Sequence, residues 1–132
     1  MRAKNNSFFM SSGPTSNYQL ARACQTVRYF RGVFMKDNLP KRPWHNEALI
    51  VNLNNQNQSG SHWVALVKRG SNARYFDSFG GVPPPLEVIR YLKGCKIAYN
   101  TLKHQNYEQR NCGQLCVRFL LGELKNFEKR LN

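Results

Sequence analysis

Two short apolar runs, Ala48-Leu49-Ile50-Val51-Asn52-Leu53 and His62-Trp63-Val64-Ala65-Leu66-Val67-Lys68, flank a polar segment from Asn54 to Ser61. Each is too short for an ordinary helix and suits a buried strand. A third run, Ala73 to Phe79, follows the turn Arg69-Gly70-Ser71-Asn72, so the second and third runs read as a hairpin. Gly80-Gly81 and Pro83-Pro84-Pro85 then stop the third strand. The chain must therefore build a sheet and cover its faces with what remains.

What remains is mostly helical. Tyr18, Ala21, Cys24 and Val27 or Arg28 recur at three- and four-residue steps between Asn17 and Phe30, with Ser16 or Asn17 as the cap. Gly32, Asp37-Asn38-Leu39-Pro40 and Pro43 break the pattern into a loop. Leu86, Ile89, Arg90 and Leu92 fit a short helix entered through proline. Lys96 to Asn100 is a candidate last strand. From Cys112 to Leu124, Leu115, Cys116, Phe119, Leu120 and Leu124 mark one helical face, with Lys125 and Lys129 toward a C-terminal end that favours cations. Residues 1–16, rich in Asn, Ser and Gly, read as a flexible tail, and 17–132 as one domain. The expected class is α+β, a mostly antiparallel central sheet flanked by helices.

Composition narrows the function classes. Hydrophobic content of 41% is ordinary for a globular domain, so wholesale disorder is not expected. No apolar run reaches the roughly 20 residues that span a bilayer. Met1-Arg2-Ala3-Lys4-Asn5-Asn6 is not followed by the apolar stretch of a secretory signal, which reads as an intracellular protein. Four cysteines without dense spacing are expected as free thiols, and Cys112 and Cys116 have no second pair to complete a zinc site. The net charge of +13 favours polyanions, with DNA or RNA bound through phosphates rather than read by sequence.

Four residue types in one order carry chemistry: His62, Asp77, a side-chain amide and Cys112. A thiol attacks a carbonyl as the thiolate, which a helix N-terminus and a neighbouring imidazolium both favour, and Cys112 is expected to have both. Gly113 beside it permits close backbone approach where a substrate carbonyl must sit. Cys116, one turn on, reads as a core residue. His62 opens a strand and suits a general base on a rigid element, whereas His45 lies in a proline-rich loop and His104 in a polar stretch. Asp77, at the end of the neighbouring strand, can fix the His62 tautomer. Gln105 or Gln109 can supply a side-chain N–H to an oxyanion, with the Cys112 backbone N–H as a second donor. Trp63 fits the core or the cleft wall.

The stretches Gly60-Ser61-His62-Trp63, Tyr75-Phe76-Asp77-Ser78-Phe79-Gly80, Gln105 and Asn111-Cys112-Gly113-Gln114-Leu115-Cys116 together resemble the adenain family of viral maturation proteases. They look closer still to adenain-like proteases of Maverick/Polinton elements and related viruses. The resemblance covers about residues 30–124. The glutamine seven residues before Cys112 matches the adenain interval and selects Gln105; the one-shorter interval of SUMO proteases would fall on Asn106. The resemblance implies an adenain/SUMO-protease-like fold, with His62 as base, Asp77 as orienting acid, Gln105 as oxyanion donor and Cys112 as nucleophile. It implies a polypeptide substrate, a capsid precursor cleaved near glycine, no cofactor for the chemistry itself, and DNA and a short viral peptide as activators. Cys95 is a candidate for linking such a peptide. A monomer in the host nucleus or virion is the expected setting. Two alternatives stand beside it, a SUMO- or ubiquitin-type deconjugating protease and an inactive basic nucleic-acid-binding relict. The chain is shorter than adenain at the N-terminus and after the catalytic helix.

Overall fold

The computed structural model describes residues 15–54, 62–104, 111–124 and 128–131. Among them a single sheet runs in the order β1 (Phe30–Met35), β2 (Asn46–Asn52), β3 (Trp63–Arg69), β4 (Asn72–Phe76), β5 (Lys96–Asn100) and β6 (Glu128–Leu131). Three helices accompany it, α1 (Asn17–Ala23), α2 (Leu86–Tyr91) and α3 (Cys112–Leu120). No helix among the described residues is long and apolar enough to cross a membrane.

The strand period of two divides the apolar residues between two cores. Ile50, Trp63, Ala65 and Phe76 face Leu20 and Cys24 of the α1 region and Cys112, Cys116, Val117 and Phe119 of α3. Leu49, Val51, Val64, Leu66 and Tyr75 face Val88 and Leu92 of the α2 region. A strand covered on both faces needs a nearly unbroken apolar run, which is why β2 could be read directly from the sequence.

The sheet is mixed rather than mostly antiparallel. The β2–β3, β3–β4 and β5–β6 pairs are antiparallel, but β1–β2 and β4–β5 are parallel. The parallel pairs are joined by crossovers, residues 36–45 in one case and the segment holding α2 in the other. Apolar runs reveal strands, whereas the direction of a strand depends on where its connection returns.

Several boundaries also differ, and the third expected strand stops at Phe76 rather than Phe79. The first helix ends at Ala23, and Phe30–Met35 forms a strand, with a register shift between Phe30 and Gly32. Gly32 therefore marks a bulge within β1 rather than a break before a loop. At the other end of the chain, α3 stops at Leu120 instead of Leu124. Gly122, at φ +79°, donates its N–H to Phe119 O, and Glu123 donates to Arg118 O, a Schellman stop. Lys129 accordingly lies in β6 and not at a helix end, while Lys125 and residues 1–14 of the expected tail are outside the described residues. Ser16 caps α1 with a full capping box, its Oγ accepting from Gln19 N and its own N–H donating to the Gln19 side chain.

Candidate active site

The β3–β4 hairpin sets the site. His62 immediately precedes β3 and Asp77 immediately follows β4, so the antiparallel pairing returns one beside the other at the same end of the sheet. The α3 helix packs across β3 with its first residue, Cys112, at that end. Three of the four predicted residues therefore meet.

His62 Nε2 lies 3.0 Å from Asp77 Oδ1. That contact occupies one ring nitrogen and leaves Nδ1 for Cys112, whose side chain also hydrogen-bonds to the imidazole. The Trp63 backbone N–H donates to Cys112 Sγ at 3.4 Å. Cys112 is 4% exposed and Asp77 2%. Asp77 Oδ1 accepts a second hydrogen bond, from Phe79 N at 2.9 Å. The carboxylate is thus fixed from two sides before it meets the imidazole.

Electrostatics favour a charged histidine. Burial alone would lower the His62 pKa, but the hydrogen bonds to Asp77 and Cys112, with the charges of both, outweigh it and raise the group from 6.5 to about 9. The sulfur sits at the N-terminus of a nine-residue helix, where the backbone dipole favours negative charge. The other two thiols in this core are kept protonated by burial, Cys116 well above its usual value and Cys24 at about 12. All four cysteines are free thiols.

The competing histidines stand elsewhere. His45 is at the opposite sheet end, its carbonyl accepting from Gly70 N. His104 lies against the Phe76 ring, and burial lowers its pKa. Gln105 and Gln109 are outside the described residues, as are Gly60 and Ser61. The N–H of His104, the residue before Gln105, is tied to Ser78 O at 2.7 Å, within the turn that carries Asp77.

Trp63 is 7% exposed and packs in the core beneath the site. Gly113 is buried, and a Cβ there would collide with Thr15 Oγ1 and come within 2.9 Å of Leu20 Cδ2. The close approach that Gly113 permits is therefore filled by the α1 segment. Phe79 is a site residue that the sequence reading did not single out. Its ring stacks on His62, and only its place two residues after Asp77 hinted at such a role.

No protein-family model matches the sequence. The chain is similar to a protein described as a SUMO-1 cysteine protease of African swine fever virus (isolate Tick/South Africa/Pretoriuskop), 26% identical over 119 residues. A protein described as a cysteine protease from the Badajoz strain of the same virus gives the same identity over the same length. In each case the match covers 76% of this chain and 43% of the relative, so the chain spans less than half the length of the curated relatives it matches. The similarity is to viral cysteine proteases, and the α+β fold is consistent with that class.

Proposed function

We propose that the chain is a cysteine endopeptidase of adenain-like kind. The single observation that carries this reading is the His62 imidazole bonded to Asp77 and to Cys112 at the first residue of a helix. The similarity to viral cysteine proteases supports the same class.

In this reading the Cys112 thiolate adds to the scissile carbonyl carbon, forming a C–S bond and moving an electron pair onto oxygen. The Cys112 backbone N–H and the Gln105 side-chain amide donate to that oxyanion; one such donor typically supplies ~3 kcal/mol. His62 imidazolium gives its Nδ1 proton to the leaving amine as the C–N bond breaks, producing a thioester. Neutral His62 then removes a proton from water, which attacks the thioester and releases the carboxylic acid and the thiolate. Asp77 holds Nε2 and stabilises the imidazolium throughout.

The proposed substrate is a capsid precursor cleaved near glycine, processed in the host nucleus or virion. DNA is the proposed partner, supported by the +13 charge. At the sheet end away from Cys112, exposed Tyr29 carries Arg28 and Arg69 on its ring, and exposed Trp44 carries Arg31. DNA affinity should fall steeply with salt; salt-insensitive binding, or none, removes DNA from the account.

A second reading, a SUMO-type deconjugase, is favoured by the description of the Pretoriuskop relative as a SUMO-1 cysteine protease. Purified protein incubated in parallel with capsid-precursor peptides containing glycine and with SUMO and ubiquitin conjugates separates the two. Cleavage of conjugates alone selects the second reading. Cleavage of neither, by folded protein with and without DNA, sinks both.

A further inference from the structure

Asp77 stands one residue past the end of β4, and the β4–β5 ladder stops at Tyr75 and Tyr99. Its main-chain N–H and C=O therefore have no partner in the ladder, although the residue is buried. Leaving such groups unsatisfied costs roughly 1–3 kcal/mol each. The side chain of Asn100, the last residue of β5 and itself 0% exposed, takes up the N–H and binds the C=O, which also accepts from Gly80 N at 2.9 Å. Asn100 Oδ1 accepts from Asp77 N at 2.8 Å, and Asn100 Nδ2 donates to Asp77 O at 2.7 Å. A second Nδ2 bond goes to Leu102 O at 3.1 Å.

We propose that Asn100 is a positioning residue for the His62–Asp77 pair, its amide gripping the acid's main chain so that the carboxylate stays within reach of the imidazole. Its effect on turnover rests on the cysteine-peptidase reading; its effect on His62 does not.

The chemistry of the contact is demanding. One terminal group must offer an acceptor and two donors from a short stem. Aspartate would turn a carboxylate oxygen toward two carbonyl oxygens, and glutamine would add a methylene to a fully buried side chain. The same segment is laced to the Asp77 turn elsewhere. Gly81 N donates to Asn100 O at 3.0 Å and His104 N to Ser78 O at 2.7 Å. Gly80 has no room for a side chain, since a Cβ would come within 2.5 Å of Leu102 O. The acid and the chain leading to Gln105 are thus held by one clasp, with Asn100 at its centre.

The test follows the His62 ring protons by NMR titration in wild type, Asn100→Ala and Asn100→Ser, with kcat and KM measured on a peptide substrate. The expected result is a His62 pKa lower by at least about one unit in the variants. The expected kcat falls about tenfold or more, with KM within about twofold. A folded variant whose His62 titration matches wild type overturns the proposal, because a merely structural asparagine would lower stability alone. Should both variants fail to fold, hydrogen exchange of wild type still decides. Protection of the Asp77 amide equal to that of Tyr75 supports the clasp, and exchange at open-loop rates overturns it. If wild type cleaves no peptide, the peptidase reading falls while the titration continues to judge Asn100.

Discussion

Phe79 lies flat on the His62 imidazole, with ring centroids 4.7 Å apart and planes inclined by 13°. The same residue's backbone N–H holds Asp77 Oδ1. One residue therefore steadies the imidazole through its ring and the carboxylate through its backbone. A ring pair of this kind contributes about 0.5–1.5 kcal/mol beyond buried area. Phe79→Leu keeps the backbone hydrogen bond and removes the stack, so kcat should fall about two- to tenfold with a lower His62 pKa. Unchanged kcat and His62 titration would show the stack to be packing only.

The raised His62 pKa fixes a sign for pH dependence. A group raised from 6.5 to about 9 by folding contributes stability that is fully present below pH 6.5 and is lost as pH rises through about 9. Urea midpoints should therefore decline over that window, and less so in Cys112→Ala, which removes one of the groups that raise the pKa. In the proposed mechanism turnover should fall above about pH 9, where the imidazolium that would protonate the leaving amine is gone. A midpoint that is flat from pH 6.5 to 9.5 contradicts the charged pair.

Stability on the opposite face depends on another ion pair. Arg31 Nη1 lies 2.9 Å from Oε1 of Glu47, which is fully buried, and the Tyr91 hydroxyl donates to Glu47 Oε2. Removing one partner of a buried pair costs about 3–5 kcal/mol, because the remaining charge stays buried. Arg31→Leu should lose this amount in urea unfolding, and the Arg31→Leu, Glu47→Leu double variant should lose less. A single variant as stable as wild type would show that Glu47 is adequately held by Tyr91.

Gly113→Ala tests the packing of the α1 segment against α3. The new methyl meets Thr15 and Leu20, and overpacking of this kind costs about 1–3 kcal/mol. Thr15→Ala should restore part of the loss in the double variant, as read by thermal unfolding. Purely additive effects would place the strain elsewhere.

Much of the site could be read from the sequence because the hairpin is local. His62 and Asp77 are joined through a tight turn, and their strands announce themselves by apolar runs. Cys112 was legible as the start of an amphipathic helix. The strand Phe30–Met35 was not, because it is only half buried and its bulge at Gly32 looks like a break. Phe79 and Asn100 were also hidden, since stacking and a side-chain clasp depend on contacts between separate segments that no periodicity encodes.

In the proposed mechanism Cys112 is a nucleophile activated by His62. The most direct measurement is covalent labelling by a thiol-directed peptide probe ending in Gly-Gly, with and without DNA, located by peptide mass mapping. The account predicts one adduct, on Cys112, lost in Cys112→Ala and slowed at least about tenfold in His62→Ala. Folded wild type that stays unlabelled under both conditions, or labels at Cys95 instead, would contradict it.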